Sequence, residues 1–349
     1  MLPIHTKTRF MEDNTVILKI ENLKIAFKMR QGNVTAVNDV TFQLRKGHVL
    51  GIVGESGCGK SVTARSLMRI EAPGKLLSGE IIFQSKSRGK VGIQRLDPTG
   101  ELIRELRWKE IAMVFQEPMT SFGPMHTFGN QISEVLTLHN KIGKTEALEM
   151  AVESLRAVGM PRPEKLIKQY PHQISGGMRQ RAMIAMALIC HPEILIADEP
   201  TTALDVSTES QILDLLAERQ KTLGTSILYI SHNLGVIANI ADEVMVMYLG
   251  QIVEHAPVSD LFASPKHPYT TALLNSIPNI DIDYKSQKLE VLQGSIPDPY
   301  NHPDGCPFHP RCPKSIHGLC DMVKPALLNV SLNCRVACHL YSSSPKTCQ

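Results

Sequence analysis

The chain has no long hydrophobic run. Its longest uninterrupted apolar stretches, such as Ala182 to Cys190, fall far short of the roughly 20 residues that a bilayer-spanning helix needs. Met1 to Asn14 carries no apolar core of secretory type, so a cytoplasmic protein is expected, with any membrane contact peripheral. An excess of one charge is missing too. Against 37 Lys and Arg stand 34 Asp and Glu, a formal net charge of +3, too small to argue for nucleic acid or another polyanion as partner. Internal repeats and low-complexity tracts are absent, which excludes solenoids and fibrous arrays. What is present is 349 residues with 43% hydrophobic side chains, enough to bury a substantial core in one large domain or two modest ones.

Three textures follow one another. Apolar, β-rich patterns at Val16 to Ile20, Val40 to Leu44 and Val49 to Val53 lead into a glycine-rich loop and a helix expected over Lys60 to Ile70. Short strands follow at Glu80 to Gln84 and Ala112 to Phe115, around a polar, turn-rich insertion. From Pro124 to Cys190 the pattern is helical. Thr145 can cap a helix with Leu148, Val152 and Leu155 on one face, and Gly159 with Pro161 stops it. Strands and helices alternate again from Ile194 to about Phe262, as in a parallel sheet with crossover helices. Beyond Ser264 prolines become dense, and the segment reads as an appended tail rather than more sheet.

Gly54-Glu55-Ser56-Gly57-Cys58-Gly59-Lys60-Ser61 fits G-x-x-x-x-G-K-[ST] directly after an apolar strand. Glycines let backbone N–H groups curl round phosphates, Lys60 places a point charge on them, and the Ser61 hydroxyl can ligate Mg²⁺. Cys58 reads as a tolerated small residue, since a redox role needs a low thiol pKa. Asp198 and Glu199 end the apolar strand Ile194 to Ala197, at the edge where doubly wound sheets hold ligands; Asp198 suits the metal shell and Glu199 the polarisation of a water. His232 follows the strand Ser226 to Ile230, in reach of a γ-phosphate, and Gln116 follows Phe115, in reach of the metal or the water. Ser175-Gly176-Gly177-Met178-Arg179-Gln180 opens a helix whose free N–H groups form a second anion cradle. One chain with two cradles suggests nucleotide held between two subunits.

These residues resemble the ATP-binding cassette family. Gly54 to Ser61 looks like its Walker A loop, Gln116 like the Q-loop glutamine, Ser175 to Gln180 like the signature, and Ile194 to Glu199 like Walker B. Ala203-Leu204-Asp205 resembles the D-loop, His232 the switch histidine, and Phe27 the aromatic that stacks on adenine, where Tyr is commoner. The resemblance implies an α/β P-loop NTPase with a mixed RecA-like core sheet, an antiparallel β subdomain and an α-helical subdomain at about 120–190, in a cassette at 16–264. It also implies hydrolysis of ATP with Mg²⁺ in a head-to-tail dimer, where Ser175 to Gly177 serve the partner's nucleotide. In the signature Ile174 precedes the serine and Met178 takes the usual glutamine's place, a variant familiar in peptide-type importers.

Residues 265–349 sharpen the resemblance. Pro265 to Leu274, Pro307 to Pro313 and Val336 to His339 are similar to the C-terminal extension of dipeptide and oligopeptide permease ATPases. That family implies two membrane permeases, a second and often nonidentical ATPase, an extracytoplasmic binding protein, and a place on the cytoplasmic face of the inner membrane. It extends to nickel complexes, oligosaccharides and peptide antibiotics. Cys306, Cys312, Cys320 and Cys338 are separated by five, seven and seventeen residues, a set that suits an iron–sulfur cluster or tetrahedral zinc, with Cys334 an extra candidate. In some family members matching cysteines bind a [4Fe–4S] cluster, which favours that choice. A cassette of DNA maintenance is the reading from another class; it usually carries a long coiled-coil or large insertion between Lys60 and Asp198, and here the interval is ordinary.

Overall fold

The computed structural model describes residues 16–116, 121–140, 142–202, 204–277 and 294–342; Ala203 of the Ala203-Leu204-Asp205 motif lies outside them. Val49–Val53 (β3), Ile111–Val114 (β6), Ile194–Asp198 (β7), Ser226–Ser231 (β8) and Glu243–Tyr248 (β9) form the parallel part of one sheet, in the order β9-β3-β8-β7-β6. Every residue of β3, β6, β7 and β8 is buried. The sheet is covered on both faces, so its strands read as continuous apolar runs. The pleat divides each strand between two cores: Leu195 and Ala197 pack into one, Ile194 and Ile196 into the other.

Val16–Met29 (β1), Gly32–Arg45 (β2), Lys75–Ser85 (β4) and Gly89–Gly92 (β5) make a separate antiparallel sheet in the order β2-β1-β4-β5. The expected strands Val16 to Ile20 and Val40 to Leu44 are the ends, away from the turn, of a longer hairpin pair. Lys60–Ser66 (α1) is shorter than expected, because Arg69 turns into the left-handed region at φ 52°. Glu101–Leu106 (α2) follows β5. Helices Phe128–Asn140 (α3), Lys144–Ala157 (α4), Pro163–Leu166 (α5) and Gly176–Leu188 (α6) fill the region expected to be helical. Helix α4 begins after Gly143 without a side-chain cap, so Thr145 is not its cap, and the fully buried face is Ala147, Ala151 and Leu155, with Leu148 and Val152 half-buried beside it. Helix α6 is buried almost all round, since it lies under its neighbours and against β6.

Val206–Leu223 (α7) and Leu234–Ile240 (α8) follow β7 and β8. Gln251–Pro257 (β10) then turns antiparallel to β9, and Val258–Ala263 (α9) and Pro268–Asn275 (α10) lead into the C-terminal segment. The expectation of a tail that adds no sheet is overturned. Leu328–Ser331 (β11) and Cys334–Val336 (β12) extend the main sheet, with Glu254 opposite Val336 and His255 opposite Arg335. The short strand covers part of the backbone edge of the largely buried β10, which would otherwise be open to pairing.

Candidate functional site

Strand β3 delivers Gly54 to Ser61 to the C-terminal edge of the parallel sheet. Gly54, Gly57 and Gly59 take φ values of 155°, 79° and 99°. A Cβ on Gly54 would stand 2.2 Å from the Met247 carbonyl oxygen, and one on Gly59 2.2 Å from that of Ala36, so both positions need glycine for space as well as for conformation. Lys60 is 4% exposed and arches back over the loop, donating from Nζ to the carbonyls of Gly54 at 2.7 Å and Glu55 at 3.1 Å. Ser56, between Glu55 and Gly57, is exposed at the loop's crest. Cys58 is buried with Sγ 3.9 Å from Lys60 Nζ. Burial pushes its thiol up against the lowering pull of Lys60, so it is not the activated thiolate a redox role requires.

Ser61 donates its hydroxyl to Asp198 Oδ1 at 2.8 Å. Asp198 is fully buried, its carboxyl pushed above the usual range first by that burial, and its Oδ2 has no hydrogen-bond partner among the described residues. An orphaned buried carboxylate oxygen beside a hydroxyl is the donor set a Mg²⁺ ion takes, and such an ion would offset the desolvation that raises Asp198. These two residues fit the metal expected here.

Glu199 follows at φ 46°, held by its N–H to the Ile230 carbonyl at 3.0 Å. This left-handed kink carries Glu199 to the mouth of the site while Asp198 stays within the sheet. Three groups converge on Glu199 Oε2: Gln116 Nε2 at 3.1 Å, His232 Nδ1 at 3.2 Å and Thr202 Oγ1 at 3.0 Å. Gln116, Glu199 and His232, from the ends of β6, β7 and β8, are thus brought together as the motifs imply. Thr202 was missed; its signal is only its place three residues after Glu199.

Ser175 caps α6, its Oγ accepting the Met178 N–H at 3.4 Å, and Ser175 and Gly176 are exposed with Gly177 half-buried. Ahead of Met178, the N–H groups of Gly176 and Gly177 have no partner within the helix and point to an outside ligand. Asp205 caps α7 instead of projecting freely: Oδ1 accepts the Thr208 N–H at 2.9 Å and Oδ2 its hydroxyl at 2.8 Å, which holds the carboxyl below its usual range. Phe27 is half-buried, opposite Val34 on β2 and against Gly74.

Four cysteines share one neighbourhood in the C-terminal segment. Burial lifts Cys306 to about 11, with smaller contributions from Cys320, Cys338 and Cys312, and the Cys306 N–H donates to the Cys320 carbonyl at 2.8 Å. Cys334 sits beside Glu254, Lys266 and Asp260, and none of the other four cysteines is among the charges that act on it. Yet among the described residues no three His, Cys, Asp or Glu side chains are placed to hold one metal ion. The metal centre expected on Cys306, Cys312, Cys320 and Cys338 is therefore not formed in this arrangement; the thiols are neighbours, those of Cys306, Cys312 and Cys338 raised first by burial, and they are not gathered on a common point.

Residues 37–202 match the family model described as ABC transporter, and residues 253–320 that of the oligopeptide/dipeptide transporter C-terminal region. A putative peptide import ATP-binding protein of Brucella abortus (strain 2308) is 47% identical over 321 residues, covering 90% of this chain and 94% of its own. The oligopeptide transport ATP-binding protein AppD of Bacillus subtilis (strain 168) is 46% identical over 329 residues, covering 94% and 97%. A solved dimeric cassette in a post-hydrolysis state, bound to ADP and phosphate, superposes with a TM-score of 0.62 over 69% of this chain and 98% of that one at 24% identity, a likeness of fold. Family models and near-full-length relatives agree with the order of motifs along the sheet edge: the chain belongs to the ATP-binding subunits of ABC transporters, in the group that carries the oligopeptide/dipeptide C-terminal region.

Proposed function

We propose that this chain hydrolyses ATP to energise the import of di- and oligopeptides, as the ATPase of a membrane ABC transporter. The observation that carries the reading is the convergence of Gln116, Thr202 and His232 on one oxygen of Glu199, beside Lys60, Ser61 and the buried Asp198. Gly54 to Ser61 cradle the phosphates, and Lys60 exchanges its two loop carbonyls for phosphate oxygens. Ser61 and Asp198 hold Mg²⁺, which supplies charge neutralisation at the β- and γ-phosphates. Glu199 orients and accepts a proton from the attacking water, while Gln116 and His232 sit where they sense the γ-phosphate. The exposed Ser175 and Gly176, with the half-buried Gly177, serve the nucleotide of a second cassette, with Asp205 shaping the turn beside them and Phe27 flanking the adenine.

The assembly that follows is two cassettes, identical or paralogous, on two membrane permeases at the cytoplasmic face of the inner membrane, fed by an extracytoplasmic binding protein. Among the described residues no helix is long and apolar enough to cross a membrane, so the permeases supply the passage. Residues 16–264 form the cassette, with the helical part at about 120–190 facing the permeases, and 265–349 the extension. Nickel complexes, oligosaccharides and peptide antibiotics are alternative cargoes. One finer reading is an iron–sulfur cluster, in preference to zinc, on the neighbouring Cys306, Cys312, Cys320 and Cys338, whose thiols would have to close onto a common point to hold it; anaerobic purification that yields a colourless, iron-free protein would remove it. The transport reading is tested by reconstituting the chain with its permeases in vesicles. Peptide-loaded binding protein should stimulate ATP hydrolysis severalfold and Lys60→Ala should abolish both ATP binding and uptake; hydrolysis indifferent to peptide would sink it.

A further inference from the structure

The C-terminal segment reaches back to the phosphate loop. Both carboxylate oxygens of Glu55 are bonded by one guanidinium: Arg311 Nη1 donates to Oε2 at 2.7 Å and Nη2 to Oε1 at 3.1 Å, across 256 residues of sequence. The Arg311 side chain is 5% exposed and that of Glu55 24%. Nη1 also reaches the Tyr248 hydroxyl at 3.4 Å, and the guanidinium lies over that ring at 5.9 Å. These acceptors push the Arg311 pKa further up, with the hydrogen bonds to Glu55 the largest cause. A second link runs beside the first, since the Glu55 N–H donates to the Tyr269 hydroxyl at 2.9 Å.

The base of Arg311 is as fixed as its tip. It ends the short turn His309–Arg311, whose preceding Phe308 packs its ring 5.3 Å from both Tyr248 and Tyr269 and 5.7 Å from His267. That aromatic cage aims the fork at one place. The Glu55 carboxylate needs such a partner, because it sits on a loop built to receive a polyphosphate of its own sign. Unpaired, it would repel the ligand, and its loop would lose one of the contacts that set the N–H groups in position before the ligand arrives.

We infer that Arg311 is a positioning residue for nucleotide binding: its guanidinium holds and neutralises Glu55, so that Gly54 to Ser61 are presented to ATP in a ready geometry. The inference rests on the reading of that loop as the ATP cradle. It gives the C-terminal segment a direct part in the ATPase site, since Arg311 stands next to Cys312 and a disturbance of the cysteine turn is felt at the loop.

The test measures ATP KM and kcat in the full chain assembled with its permeases, for wild type, Arg311→Met, Glu55→Gln, the double variant and Arg311→Lys. Arg311→Met should raise KM about five- to tenfold with kcat within about twofold. In the Glu55→Gln background the same change should move KM by less than about twofold, because the charge to be neutralised is gone. Arg311→Lys, which keeps the charge without the fork and spares the cage, should fall between wild type and Arg311→Met and gives the answer should the larger change unfold the segment. An unchanged KM in Arg311→Lys and Arg311→Met overturns the inference, as does an equal rise with and without the Glu55 carboxylate, which would make Arg311 a mere staple for the segment. Wild type that fails to bind ATP overturns the cradle reading along with it.

Discussion

Asp198 and Glu199 are adjacent in sequence and opposite in environment. Asp198 is fully buried, bonded to Ser61 and left with one oxygen that has no hydrogen-bond partner among the described residues, whereas Glu199 turns out of the sheet at φ 46° into a ring of donors. The two environments suit different partners: the buried group a cation, and the turned-out group a water. Glu199→Gln retains the side chain's shape and an acceptor oxygen for Gln116, His232 and Thr202 but removes the base. ATP affinity should stay within about threefold while turnover falls by roughly 10²- to 10³-fold, measured by equilibrium nucleotide binding and phosphate release. Hydrolysis at the wild-type rate would show that Glu199 is not the catalytic carboxylate. At this scale the sequence was readable because Gln116, Asp198, Glu199 and His232 each follow an apolar strand. Thr202 has no such marker. Arg311 lies 256 residues from its partner Glu55, and no local pattern reports a pairing that only the folded chain creates.

The element that decides nucleotide binding is the turn between β3 and α1, and its glycines are not equivalent. Gly57, at φ 79°, has open space where a Cβ would go; Gly59, at φ 99°, has the Ala36 carbonyl oxygen 2.2 Å away. Gly57→Ala should therefore cost about 1–2 kcal/mol, the price of a left-handed alanine alone. Gly59→Ala must also move backbone of β2 or the start of α1, and should cost about 2–4 kcal/mol and weaken ATP binding much more. Urea unfolding of the two variants separates these cases; equal losses would mean that the contact with Ala36 relaxes freely. The motif's glycine pattern announced the turn, but not which glycine is pressed against β2. Helix α4 makes the same point. Its period was visible, yet the deepest positions are alanines 147, 151 and the leucine at 155, because close packing against α6 favours small side chains that a count of large apolar residues overlooks.

Across the whole molecule the C-terminal segment is structural sheet at one end and part of the phosphate loop's surroundings at the other. Its proline density suggested an appendage, and β12, only three residues long, is too short to show a strand pattern in the sequence although it covers β10. His267 joins the two ends. Its Nδ1 accepts the Tyr269 N–H at 3.0 Å to cap α10, its ring faces Phe308, and its own N–H donates to the buried Glu254 at 2.8 Å. Burial holds the imidazole neutral, its pKa brought down from 6.5 to about 3. Between those values the unfolded chain binds the proton that the folded chain refuses. This contribution is complete above pH 6.5 and is lost as pH falls toward 3, at up to about 1.4 kcal/mol per pH unit. Glu254, raised by its own burial, works in the opposite direction, so the comparison must be between variants. His267→Asn keeps a capping side chain and removes the titration. From pH 7 to pH 5 the wild-type Tm should fall further than that of His267→Asn by at least about 2 °C, by differential scanning calorimetry. Parallel declines would mean that protonation of His267 is not what loosens the fold in acid. Because Tyr269 also receives the Glu55 N–H, the wild type should lose ATP affinity over the same acid range before it unfolds, whereas His267→Asn should hold its affinity to lower pH.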